Sequence, residues 1–214
     1  MLAASVILDG ASLTLLDVSR VTWTEAELLG YLNEALRSTA NVKPDLIPVE
    51  QAIPLVAGME QELPEGGIAL INITRNALGT ERVVTEVDQQ LLAEVSRFWP
   101  AGTRETMVEH FTVHPTAPRK FNVFPPNDGT GEVMALYGIE PPTLTAAADI
   151  LPVLDTYQHA LTQFVLSRAY AKNTKRQDLV KEAAAMQNWA RAIGGKAQAQ
   201  VAISPKVASQ PGVA

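Results

Sequence analysis

The sequence predicts an α+β, mainly helical chain: a helical bundle with an inserted small antiparallel β element and an extended C-terminal tail. Three observations lead there. Apolar residues recur at three- and four-residue spacing over about 22–39 and again over 155–193. Over about 49–140 the pattern shortens to alternation and is broken by prolines and glycines. Beyond residue 195 no apolar period remains. The expected organisation is one domain over 1–195, with helices at about 3–16, 22–39, 155–171 and 178–193 and a β insertion at about 49–140, followed by a flexible tail over 196–214.

Ala3 to Leu16 supplies Val6, Ile7, Leu13, Leu15 and Leu16 to a first helix, which Gly10 weakens. Thr22-Trp23-Thr24-Glu25 has the form of a capping box, with Thr22 as the cap and Glu25 reaching back. The helix it opens carries Leu28, Leu32, Ala35 and Leu36 as a buried stripe, and Pro44 and Pro48 end any continuation.

Residues 49–63 read as a strand or extended arm ending at Pro64, since Ile53, Leu55 and Ala57 alternate. Ile68 to Arg75 is a short helix or a buried strand, and length does not decide between them. Arg82 to Val87 alternates as a strand does. Asp88 is placed to cap a short helix through Val95, closed by an aromatic turn at Phe98–Gly102. Val108–Val113, Phe121–Phe124 and Glu132–Tyr137 read as an antiparallel meander. Its turns are Pro115–Pro118 and Pro125–Gly129. Phe121, Val123, Val133, Ala135 and Tyr137 offer its buried face.

Asp155 starts an amphipathic helix with Tyr157, Leu161, Phe164, Val165 and Arg168 on one side. Asp178 opens another, with Val180, Ala183, Ala184, Gln187 and Ala190 as a small-residue stripe, Trp189 at its edge, and Gly194-Gly195 as its stop. The tail after it lacks any core-forming pattern and is expected to order on a partner.

The chemistry on offer is sparse. The 214 residues include no cysteine, which excludes disulfide frameworks and thiolate catalysis, and three histidines, His110, His114 and His159. His110 and His114 share a face, but a catalytic zinc site needs a third ligand, and a half-buried strand pair is the better reading. Asn127-Asp128-Gly129-Thr130-Gly131-Glu132 matches neither an EF-hand nor a phosphate loop and reads as a hairpin turn. No carboxylate pair stands out, and no Gly-x-Ser-x-Gly elbow is present. The sequence therefore assigns no catalytic, cofactor-binding or metal-ligating residue, and the chain is read as no enzyme and as needing no cofactor. No apolar run has the roughly 18 residues of a membrane span, and no signal-peptide layout is seen, so synthesis in a cytoplasm without membrane attachment is expected.

Charge is the informative feature. The net charge is −6, yet residues 1–160 hold 9 Lys+Arg against 21 Asp+Glu, while residues 161–214 hold 8 against 2. Arg168, Lys172, Lys175, Arg176 and Lys181 form a basic run at the junction of the last two helices. Phosphate contact there would be non-specific, and an acidic protein surface is an equally good partner.

Four blocks in order resemble a known family. They are Trp23–Ala35 followed by Pro44; Leu55–Pro64 followed by Ile71–Asn76; Phe121–Pro126 followed by Val133–Tyr137 and Pro141; and Asp149–Val153 followed by Tyr157, Ala160-Leu161 and Val165–Lys172. Together they resemble the head–tail adaptors (connector or head-completion proteins) of tailed bacteriophages, over about residues 3–193. The resemblance implies a structural virion protein at the neck. It implies a homo-oligomeric ring, a dodecamer, beneath the portal protein, with a tail or tail-tube (nozzle) protein on the other side and the genome passing through the lumen. The −12/+6 partition suits the two unlike faces of such a ring, and an acidic body suits a channel that repels the duplex. Non-specific genome contact in the lumen is compatible with the basic run. The competing readings are a non-specific double-stranded DNA-binding factor using the basic C-terminal helices, and a particle-borne wall-degrading enzyme, for which no catalytic pair is visible.

Overall fold

The computed structural model describes residues 2–95, 102–114 and 116–203. The chain divides into two compact units, Met1–Lys43 with Pro141–Ala214, and Pro44–Glu140.

The first unit is helical. It contains α1 (Ala4–Thr14), α2 (Glu25–Val42), α4 (Gln158–Ala171) and α5 (Leu179–Ile203). α2 buries Leu28, Leu32, Ala35 and Leu36 completely, as its spacing predicts; it packs on α1 and α4, whose Ile7, Leu8 and Ala11, and Leu161 and Val165, are likewise fully buried. Apart from the chain ahead of it, the first turn of α1 is capped from residues 145–151. The amides of Ala4 and Ser5 donate to the carbonyls of Asp149 and Ala147 at 2.9 and 2.7 Å. Asp149 is itself fixed by the amides of Ala146 and Thr145, which hold its carboxyl below the usual carboxylate range.

Three expectations for this unit are corrected. The cap of α2 is Thr24, whose Oγ1 accepts from Glu27 N at 3.3 Å. Thr24-Glu25-Ala26-Glu27 repeats the Thr-x-x-Glu pattern two residues on from Thr22. The upstream copy cannot start the helix because the Thr22 and Trp23 amides are taken by Asp17. Next, α5 faces inward through Ala185 and Ile193, while Val180 is 81% exposed and Ala183, Ala184, Gln187 and Ala190 face solvent. Trp189 sets this phase: its ring meets Phe164 edge-on at 5.3 Å and its indole N–H donates to Thr39 Oγ1 at 3.2 Å. A large ring with a polar handle outweighs a stripe of alanines. Finally, α5 does not stop at Gly194-Gly195 but runs on to Ile203. The flexible tail expected over 196–214 lies outside the described residues from 204 on.

The second unit is β-rich, with two sheets over one core. β1 (Pro48–Pro54), β7 (Glu132–Ile139) and β3 (Gly67–Asn76) form one sheet in the order β1-β7-β3. β2 (Gly58–Glu62), β6 (Lys120–Asn127), β5 (His110–Val113) and β4 (Thr85–Glu86) form the other in the order β2-β6-β5-β4, all neighbours antiparallel except β4 with β5. Ile53, Leu70, Ile73, Val133, Ala135 and Tyr137 from the first sheet pack with Phe111, Phe121 and Val123 from the second. The short helix α3 (Gln89–Val95) follows Asp88, whose Oδ1 accepts from Gln90 N at 2.7 Å.

This unit overturns the mainly helical fold class. Seven strands in two sheets stand beside the helices among the described residues, so the protein is mixed α+β rather than a helical bundle with a small insertion. Two ambiguous stretches resolve as strands: residues 49–63 are β1 and β2, and Ile68–Arg75 lies within β3. The meander is also corrected. β6 pairs with β5, but β7 belongs to the other sheet. β1 and β7 pair, and so do β2 and β6, so one bent ribbon crosses between the sheets at Leu55–Ala57 and Asp128–Gly131. Leu55 N donates to Gly131 O at 2.9 Å across that corner. The Gln61 side chain closes it by accepting from Val56 N and donating to Val56 O and Gly58 O. Pro125 and Pro126, expected in a turn, lie inside β6. The register with β2 shifts between Gly58 and Glu60, opposite the two residues that lack an N–H. The aromatic turn expected at Phe98–Gly102 falls, through Ala101, outside the described residues.

Candidate interaction surface

Among the described residues no group of three or more His, Cys, Asp and Glu side chains converges. His110 stacks on Phe124 at 6.3 Å, and its Nδ1 is buried without a hydrogen-bond partner. His114 Nδ1 lies 3.2 Å from Thr116 Oγ1. The Asn127–Glu132 loop is self-satisfied. Asn127 Oδ1 accepts from Gly129 N and Gly131 N, and Asp128 accepts from Thr106 and Thr130 hydroxyls, which keep its carboxyl below the usual range. It serves the crossover between sheets. Among the described residues no helix is long and apolar enough to cross a membrane.

The basic run at the α4–α5 junction is brought together, but not as one open face. Lys172 caps α4 and places Nζ 2.6 Å from Glu27 Oε2 and 2.8 Å from Thr22 O. Desolvation pushes the Glu27 carboxyl up, and the Lys172 ammonium and Tyr31 hydroxyl outweigh it to bring it below the ordinary glutamate value. Burial and the same carboxylate push the Tyr31 hydroxyl up to about 12. Arg168 pairs with Glu34 and lies over the Phe164 ring. Lys181 pairs with Asp178 at 3.2 Å and sits 5.6 Å from the Tyr170 ring centre. Arg176 lies 5.8 Å over Trp23. Lys175 is exposed and has no ion-pair partner among the described residues. The helix that would have aligned residues 168–176 ends at Ala171. Arg168, Lys172 and Lys181 are thus paired with carboxylates of the same chain, and among the described residues Lys175 and Arg176 make no ion pair.

The residues around Lys175 form a cleft of about 480 Å³, lined by Leu15, Leu16, Trp23, Tyr170, Lys175 and Arg176 among others. Its far wall is the loop between α1 and α2. α1 ends in a Schellman motif: Asp17 N donates to Ser12 O at 2.9 Å and Leu16 N to Leu13 O at 3.1 Å. Leu16 takes the left-handed position, φ +54°, where glycine is usual. Asp17, 8% exposed, then gathers the loop by accepting from Val21 N, Thr22 N and Trp23 N at 3.2, 2.8 and 2.9 Å. The Trp23 amide lowers the Asp17 pKa most. Desolvation opposes it, and the other two amides and the Arg176 charge assist. Trp23 anchors the loop from below, 1% exposed, its indole N–H donating to Ala169 O at 3.1 Å. Arg20 pins the outer side to Asp9 at 2.6 Å and to Glu25.

Sequence reasoning missed this loop as a surface. It counted Leu13 and Leu16 among the apolar positions of the first helix, and they are 61% and 83% exposed, with Leu16 beyond the end of α1. The available signal was that Leu13, Leu15 and Leu16 cannot all point inward from one helix end.

Residues 3–210 match the model of the SU10 adaptor protein family. The chain belongs to that family. No curated protein gives a significant match. An SU10 adaptor is a phage adaptor protein, and its role is structural, which agrees with the resemblance carried by the four sequence blocks.

Proposed function

We propose that the chain is a head–tail adaptor that assembles as a dodecameric ring beneath the portal protein, joins capsid to tail, and lets the genome pass through its lumen. The observation that carries this reading is the SU10 adaptor family match across residues 3–210. The charge distribution supports it. Residues 44–140 hold 14 Asp+Glu against 6 Lys+Arg, while the rest of the chain holds 9 against 11. A ring joins each copy to the next through two different faces, and unlike charge on two units suits that need. The segment 196–214 serves as the portal-docking arm.

Native mass spectrometry of the full chain with the portal protein of the same virus tests the reading. The expected species is a ring of adaptor copies bound to the portal. A chain that stays monomeric and never binds the portal contradicts it.

A further inference from the structure

We propose that the surface formed by the α1–α2 loop and the α4–α5 turn docks onto the acidic unit, residues 44–140, of a second copy of this chain. This inference rests on the ring reading above and assigns one of its two faces.

Leu16 gives the first argument. Left-handed backbone is unfavourable for any residue with a Cβ, and a helix C-terminus of this geometry normally carries glycine. Here a leucine occupies it, and its side chain, 83% exposed, gains no burial in return. Strain held at an exposed apolar residue, in a loop whose hydrogen bonds fix it, points to a contact made outside the monomer.

The neighbours extend the point. Val18 and Val21 are 68% and 80% exposed in the same loop, and Leu179 and Val180 are 62% and 81% exposed where α5 begins, directly after the cleft residue Asp178. Asp17, Trp23 and Arg20 hold the loop before any partner arrives, so little ordering entropy remains to be lost on docking. Apolar tips of this kind do not bind phosphates, which argues for a protein partner.

Charge selects which protein. Lys175 stands at the rim of the cleft with no ion-pair partner among the described residues. The acid excess of this chain lies in residues 44–140, where Glu60 and Glu65 are exposed and likewise make no ion pair among the described residues. A head-to-tail contact pairs one copy's Lys175 rim with the next copy's acidic unit and repeats around a closed ring.

The test uses the full-length chain with the portal protein of the same virus. Leu16→Gly removes the side chain at a position glycine favours, so the fold survives, as thermal melting checks. Lys175→Glu reverses the rim charge. Both variants are expected to raise the concentration for half-maximal ring assembly by roughly tenfold or more, the scale of losing one buried apolar side chain. A photo-cross-linker at Val18, in a mixture of isotope-labelled and unlabelled chains, is expected to give inter-copy adducts within residues 44–140. Rings that form equally well from both variants and from the wild-type chain, or adducts found only on the portal or a tail protein, overturn the docking assignment and leave the ring reading standing. A wild-type chain that never self-associates, with or without portal, overturns both.

Discussion

Lys172, at the C-terminal cap of α4, holds Glu27, in the first turn of α2, through an ion pair of 2.6 Å. Each side chain thereby meets a helix end of favourable sign, the carboxylate at an N-terminus and the ammonium at a C-terminus. A second donation from Lys172 to Thr22 O ties the same helix end to the α1–α2 loop.

Replacing Lys172 with Met is expected to cost about 1 kcal/mol, the lower end for a charge-assisted hydrogen bond that is partly exposed. The urea midpoint falls while the m-value stays constant. Because the Glu27 pKa is depressed in the folded protein, the pair stabilises above the ordinary glutamate pKa of about 4.3, and that contribution is lost as pH falls through the folded value. Glu27→Gln should flatten this part of the acid limb.

Asp17 behaves in the same direction for a different cause. Its depressed pKa comes chiefly from backbone amides, so its contribution is present above about pH 3.9 and disappears on further acidification through the folded value. Asp17→Ala leaves the Val21, Thr22 and Trp23 amides without their acceptor. Hydrogen exchange at those three amides is expected to accelerate before the rest of the unit is affected.

Leu16→Gly is expected to stabilise the isolated chain by about 1 kcal/mol, since it relieves a left-handed residue that gains no burial. A higher melting temperature together with weaker assembly is the signature of strain kept for contact. A lower melting temperature would mean that the side chain packs within the monomer.

Trp189→Ala is expected to cost about 3 kcal/mol and Trp189→Phe about 1 kcal/mol. The first loses the edge-on contact with Phe164 and the second mainly the donation to Thr39. Chemical denaturation of the two variants separates ring packing from the hydrogen bond.

These residues also show what the sequence could and could not disclose. The stripe of α2 and the alternating face Phe121, Val123, Val133, Ala135 and Tyr137 were legible, because burial imposes periods of 3.6 and 2 directly on residue type. The division of that face between two sheets was not, since Val133 looks the same in a meander and across a sheet-to-sheet crossover. The phase of α5 was hidden because one Trp189–Phe164 contact outranks several alanines. The basic run was visible as charge, but its neutralisation by Glu27 and Glu34, more than 130 positions away in the chain, follows only from tertiary contact. The family resemblance was legible because it lies in the order of blocks, which does not depend on knowing the sheets.

The most direct measurement of the central claim is a reconstruction of the virion neck at side-chain resolution. The account predicts twelve copies of this two-unit chain in a ring between portal and tail, with the duplex path through the centre. A neck built without this chain, or particles that lack it yet still join heads to tails, would contradict it.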